Sequence, residues 1–291
     1  MNEAALVLDQ KAILGEGPIW DSGKEILYWL DILNRELHLF NPANQTDKVI
    51  KTNQMIGTVV PRVRGGVVLA MENGFHFLDL SSEMLTFIAD PEHNRPENRF
   101  NDGKCDPAGR LLAGTMHKQG IRKSGALYCL DKDLSVRKVL DPVSISNGLA
   151  WSHDQKTMYY INTPEKKVWG FDYDILTGTL AGKHVVIDGE KEAGVFDGMT
   201  IDAEGMLWIA HFGGFCVSRW DPRTGRKLDE IILAVPNPTA CAFGGDQLQD
   251  LYITTARLSL SEEELQQYPQ SGGLFVACPG VRGVRAYGFG G

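Results

Sequence analysis

The stretch Gly148–Asn162, GLAWSHDQKTMYYIN, sets a short apolar strand, a polar turn and a second apolar strand next to one another. Met158-Tyr159-Tyr160-Ile161 is rich in the aromatic and β-branched residues that fit a pleated sheet, and Asp154 marks the turn before it. The same pattern returns at Pro18–Asp31, Val60–Glu72, Asn101–Gly114, Gly198–His211 and Thr239–Ala256. A third strand, and often a fourth, follows each unit, as at Arg35–Phe40 and Lys167–Asp172. Units recur roughly every 40 to 50 residues, the length of one four-stranded propeller blade. Six units predict an all-β chain, a six-bladed β-propeller with four-stranded blades, with residues 1–291 as a single domain. A β-sandwich would give no reason for six similar units.

A propeller has to close its ring. The segment Ala4–Leu8 precedes the first complete unit and is expected to supply the outermost strand of the last blade. The later strands of that blade are read at Gly273–Ala277 and Gly283–Tyr287. Such closure leaves few exposed sheet edges. Helical composition is confined to Ser261–Gln267, read as a surface turn of helix inside the sixth unit.

Composition narrows the partners. The chain of 291 residues is 43% hydrophobic and 23% charged, enough to bury a full core. Its net charge is -8, and no run of Lys or Arg forms a basic stripe, which argues against nucleic acid and anionic membranes. The N-terminus lacks the pattern of a signal peptide, and no apolar run approaches the roughly 20 residues of a membrane span. Cys105, Cys129, Cys216, Cys241 and Cys278 show no C-x-x-C pair, so neither a disulfide framework nor a cysteine zinc site is expected. These features suggest a cytosolic, monomeric chain that acts on a small molecule.

Four of the six units begin on a polar residue: Glu16 in Gly15-Glu16-Gly17-Pro18, Asn101 in Phe100-Asn101-Asp102-Gly103, Asn147 in Ser146-Asn147-Gly148 and Asp197 in Phe196-Asp197-Gly198. Asn-Gly and Asp-Gly are also ordinary turn pairs, so Asp102-Gly103, Asn147-Gly148 and Asp197-Gly198 taken singly read as turns. The shared register of the four favours one site, because the first strand of every blade lines the central channel. Two carboxylates and two amides gathered in a narrow channel repel and are poorly solvated unless a cation lies among them. Oxygen ligands favour a hard divalent ion such as Ca²⁺ or Mg²⁺, with Mn²⁺ next, over a structural zinc site. Arg99 reads either as a ligand contact at the channel mouth or as an exposed guanidinium. His117, at a strand end, reads either as facing the pocket or, by preference, as an exposed loop histidine, and Trp20, Trp151 and Trp208 as packing between blades.

Taken together, Gly15–Pro18, Arg99-Phe100-Asn101-Asp102-Gly103-Lys104, Ala113-Gly114-Thr115-Met116, Ser146–Leu149 and Phe196–Met199 resemble the SMP-30/gluconolactonase/LRE-like family over nearly the whole chain. The resemblance implies a six-bladed propeller with one divalent metal held by Glu16, Asn147 and Asp197. Calcium is the ion expected, with Mg²⁺, Mn²⁺ or Zn²⁺ as alternatives. It further implies that Arg99 and Asn101 bind substrate hydroxyls and that the reaction opens a sugar lactone to its aldonic acid. Asp197 is then expected to act as general base as well as ligand. Where family members often carry an acidic residue after the Gly-Thr-Met segment, this chain reads His117-Lys118-Gln119. No G-x-S-x-G elbow offers a serine nucleophile. Two other readings share the metal: an organophosphate hydrolase, and a non-catalytic calcium-binding or scaffold propeller.

Overall fold

In the computed structural model, which describes residues 2–291, six antiparallel sheets follow one another around a ring. The strand nearest the axis comes first in each: Gly15–Asp21, Ile56–Pro61, Asn98–Cys105, Ser146–Trp151, Val195–Ile201 and Pro238–Gly244. Blades one to four complete themselves in sequence order, as in Gly15–Asp21, Ile26–Asp31, Glu36–Asn41 and Thr46–Lys51. Burial falls outward. Ser146–Trp151 is buried throughout, because blades press on both its faces, whereas Thr46–Lys51 alternates between exposed and covered residues.

Aspartates build the turns at the far ends of the inner strands. Asp106 accepts from the backbone N–H groups of Ala108 and Arg110, and Asp202 from those of Glu204 and Met206. Each also holds an arginine of its own blade, Arg110 or Arg219. The core is spread between blades. Trp208, Val217 and Ile231 of the fifth pack with Phe243, Ile253 and Phe275 of the sixth, and the fully buried rings among them contribute about 2–3 kcal/mol each.

The sixth blade closes as the sequence predicts, with Ala5–Leu8 paired antiparallel to Leu274–Ala277. Two features differ from expectation. Asn2–Glu3 pairs in parallel with Arg226–Ile232 and gives the fifth blade an extra strand, so the N-terminal segment bridges two blades. Gly283–Tyr287 is not a strand of the sixth blade, because Ala5–Leu8 already takes the outer place. The C-terminal tail instead crosses the end of the ring where the inner strands finish. Gly283 bridges to Asp202, Phe289 to Arg62, and the Gly290 N–H donates to the Gly109 carbonyl at 2.9 Å. Gly283 is required there, since a Cβ would lie 2.1 Å from that of Phe243. The short helix Glu262–Gln267 carries a capping box between Ser261 and Glu264. Among the described residues no helix is long and apolar enough to cross a membrane, and all five cysteines are free thiols.

Candidate metal and substrate site at the channel mouth

Every inner strand breaks its pairing register near its start, between Glu16 and Ile19, Ile56 and Thr58, Phe100 and Asp102, Asn147 and Leu149, Phe196 and Met199, and Pro238 and Ala240. A bulge re-aims side chains that a regular strand would send into the sheet. Asn101 and Asp197 sit on the unpaired residues, while Glu16 and Asn147 are the last paired residues before the break. Asp102-Gly103, Asn147-Gly148 and Asp197-Gly198 are thus inside strands, not turns. Their glycines permit close packing: a Cβ on Gly148 would lie 2.8 Å from that of Met199, and one on Gly198 2.4 Å from that of Ala240.

The four polar starts and Arg99 are all buried. Arg99 is therefore no surface guanidinium. Its Nη1 donates to the Phe100 carbonyl at 2.9 Å and to Asn101 Oδ1 at 2.8 Å. Asn101 Nδ2 in turn donates to the Ser146 carbonyl at 2.9 Å and to Asn147 Oδ1 at 3.0 Å, which ties the third blade to the fourth. Asn147 Nδ2 donates to Thr163 Oγ1 at 2.7 Å, which fixes the amide so that its oxygen is turned to Asn101.

Charge is concentrated here. Burial and the neighbouring Asp102 push the Glu16 carboxyl up to about 8, against the pull of the Gly17 N–H and Arg99. Burial, then Glu16 and Asp102, push Asp197 well above the ordinary aspartate range. Asp197 Oδ1 is buried without a hydrogen-bond partner, and Glu16 Oε2 accepts only from the Gly17 N–H at 3.0 Å. Burial pulls Arg99 down to about 10, so it stays protonated at neutral pH. Among the described residues no three His, Cys, Asp or Glu side chains form a metal-binding group on their own. The donor set that suits a cation is mixed: two carboxylates held at a cost in free energy, one with an orphaned oxygen, and the second lone pair of the Asn147 amide oxygen. All are hard oxygen donors, which match a hard divalent ion.

Sequence reasoning passed over three residues of this region. Asp102 is a third interior carboxylate, pushed up to about 6 by burial, and it was hidden inside an apparent turn pair. Lys104, of the same strand, donates its Nζ to the Met199 carbonyl at 2.7 Å. Glu72 of the second blade pairs with Lys118 and acts on Arg99. His117 differs from expectation: it is buried, and its Nδ1 accepts from the Gln119 N–H at 3.0 Å. The chain after it folds back, with the Gly120 N–H on the His117 carbonyl and the Lys118 N–H on that of Glu97. Trp20, Trp151 and Trp208 are buried between blades, as predicted.

Comparison with known proteins agrees with this architecture. The Bacillus subtilis protein YvrE, whose name assigns it provisionally as a sugar lactone lactonase, is 40% identical over 275 residues, 94% of each chain. Regucalcin of Danio rerio is 40% identical over 287 residues, 97% of each chain. The crystal structure of a calcium-binding protein, regucalcin, from Agrobacterium tumefaciens superposes with a TM-score of 0.95 at 29% identity, over 99% of this chain and 97% of that one. The profile of the SMP-30/gluconolactonase/LRE-like region matches residues 14–257. With its six bladed sheets, its mouth of buried oxygen donors and relatives matched over nearly their full length, the chain belongs to the SMP-30/gluconolactonase/LRE-like family.

Proposed function

We propose that this chain is a metal-dependent hydrolase that opens sugar lactones to aldonic acids. The observation that carries the reading is the buried carboxylate pair Glu16 and Asp197, which act on one another while Asp197 Oδ1 has no hydrogen-bond partner. Relatives named as a sugar lactone lactonase and as a calcium-binding regucalcin support both the substrate class and the cation. Glu16, Asn147 and Asp197 would hold one divalent ion, calcium in the first instance. Such an ion supplies Lewis-acid polarisation of the lactone carbonyl and a lowered pKa for water.

The protein's own groups do the rest. Asp197 keeps its Oδ1 free of any partner in the protein. It takes the proton of the attacking water and returns it to the departing ring oxygen. Both N–H groups of Asn101 are committed to Ser146 and Asn147, so toward a sugar it can only accept, through Oδ1. Arg99 binds the protein through Nη1 and keeps its remaining donors. A sugar hydroxyl can therefore accept from Arg99 and donate to Asn101.

The test is a pH-indicator assay over a panel of aldonolactones, using chelated protein with Ca²⁺, Mg²⁺, Mn²⁺ or Zn²⁺ restored one at a time. Turnover should vanish on chelation and return with at least one ion. Activity indifferent to chelation would sink the metal mechanism, and inertness toward every lactone would sink the substrate class.

A further inference from the structure

Asp102 and Lys104 have no part in the reaction just described, yet both lie inside the channel. They border a cavity of about 20 Å³ below the mouth, together with Thr58, Gly198 and Cys241. Lys104 also borders a second cavity, of about 100 Å³, that the tail residues Val284–Tyr287 help to line. Its bond to the Met199 carbonyl joins the third blade to the fifth. The fourth blade stands between them in the ring, so this bond spans the channel. Met199 lies two residues beyond Asp197 and is where the pairing of the fifth inner strand resumes.

The charges divide in the same way. Three carboxylates, Glu16, Asp102 and Asp197, share the interior with two cations. Arg99 acts on Glu16 and Asp197, and Lys104 on Asp102. Asp102 and Lys104 are not in contact, but their attraction is little screened in a space with so little water. Cys241 is the other titratable group that acts on Lys104. Thr58 Oγ1, buried without a partner, adds no charge.

We propose that Lys104 is a positioning residue of the site: its ammonium ties the third inner strand to the fifth just beyond Asp197 and serves as the fixed countercharge of Asp102. The effect on turnover rests on the lactonase reading; the countercharge role stands without it. Removing one partner of a buried charge pair costs far more than removing both. In chelated protein, Lys104→Met should lower the thermal midpoint by about 10 °C. The double variant Asp102→Asn/Lys104→Met should regain at least half of that loss, and more than Asp102→Asn alone gains over wild type, since Asp102 also repels Glu16 and Asp197; an equal gain in the two backgrounds overturns the countercharge. A double variant no more stable than Lys104→Met overturns the countercharge. If Lys104→Met does not fold, folding of the double variant supports the proposal and failure of both overturns it.

Turnover separates the tether from the charge. Both variants lack the bond to Met199, so kcat should fall about 10- to 100-fold in each with KM little changed, and Lys104→Arg should restore part of it. Recovery of kcat alongside stability in the double variant overturns the tether. A wild type that opens no lactone with any ion defeats the function proposed above, while the thermal comparison still decides the countercharge.

Discussion

On the proposed mechanism Asp197 would meet two demands at once, as an oxygen donor to the ion and as a proton acceptor, and its Oδ1 has no partner in the protein to fall back on. Asp197→Asn keeps the shape and removes both the charge and the basicity. Turnover should drop by about 10³-fold, measured at saturating metal so that weaker ion binding does not contribute; near-normal turnover with the ion bound would show that the base lies elsewhere. Glu16 gives a second prediction at this scale. Without metal its carboxyl sits at about 8, above the ordinary 4.5, so the folded state holds a proton that the unfolded state has released. The stability is complete below about 4.5 and is lost as pH rises toward 8; Asp197 is shifted in the same direction. The thermal midpoint in chelator should therefore fall between pH 5 and 8, and calcium should flatten the slope and bind more tightly at the upper end. A midpoint that climbs over this range would refute the assignment. Glu16, Asn101, Asn147 and Asp197 stand out in sequence because each interrupts an apolar repeat at the same place. Asp102 and His117 do not, since the interior position of one and the burial of the other depend on chain that packs around them from elsewhere.

The inner strands owe their use to a shared irregularity, the bulge near each start. It depends on the register of the neighbouring strand, which residue spacing alone does not reveal, and so Asn147-Gly148 and Asp197-Gly198 resemble turns when read along the chain. In space the glycines are where neighbouring inner strands meet. Gly198→Ala would place a Cβ 2.4 Å from that of Ala240 and 2.9 Å from the Thr239 carbonyl, against the backbone of the sixth inner strand, which cannot yield cheaply. Overpacking of this kind costs about 1–3 kcal/mol, and because Asp197 is the preceding residue the strain should reach the carboxylate. The expected result is a lower thermal midpoint together with calcium affinity reduced about tenfold or more in titration calorimetry. A variant that loses stability but binds calcium as wild type does would show that the bulge is not what positions Asp197. At the other end of the same strand, Asp202 holds Trp208 Nε1 at 3.0 Å and Arg219 Nε at 2.8 Å as well as its own turn. The Asp and Gly residues that marked each turn in sequence thus have a visible structural task.

The ring as a whole separates scaffolding from chemistry along its axis. Its count of blades and its closure by Ala5–Leu8 follow from the repeat, because a terminal strand left over before the first unit has one free place to fill. The path of the tail does not follow, since Gly283–Tyr287 has strand-like composition and only the occupied outer place of the sixth blade keeps it out. This division predicts opposite results for the two termini. Deleting residues 1–9 removes the strand paired to Leu274–Ala277 and leaves that strand as an open edge. The sixth blade then loses the cover of Phe275, and the variant should unfold at much lower temperature and aggregate. Deleting residues 280–291 removes Phe289, fully buried at the far end of the ring, and the bonds of the tail to the second, third and fifth blades. The loss of about 2–3 kcal/mol from that ring corresponds to a fall of roughly 5–10 °C in the midpoint. Lactone turnover below that temperature should stay within about twofold of wild type, because all six blades and the mouth remain and a twofold change is only about 0.4 kcal/mol. Loss of turnover in a folded tail-deleted protein would show instead that the far end of the channel is coupled to the mouth, with Lys104, which borders the cavity beneath the tail and bonds to Met199, as the connecting side chain.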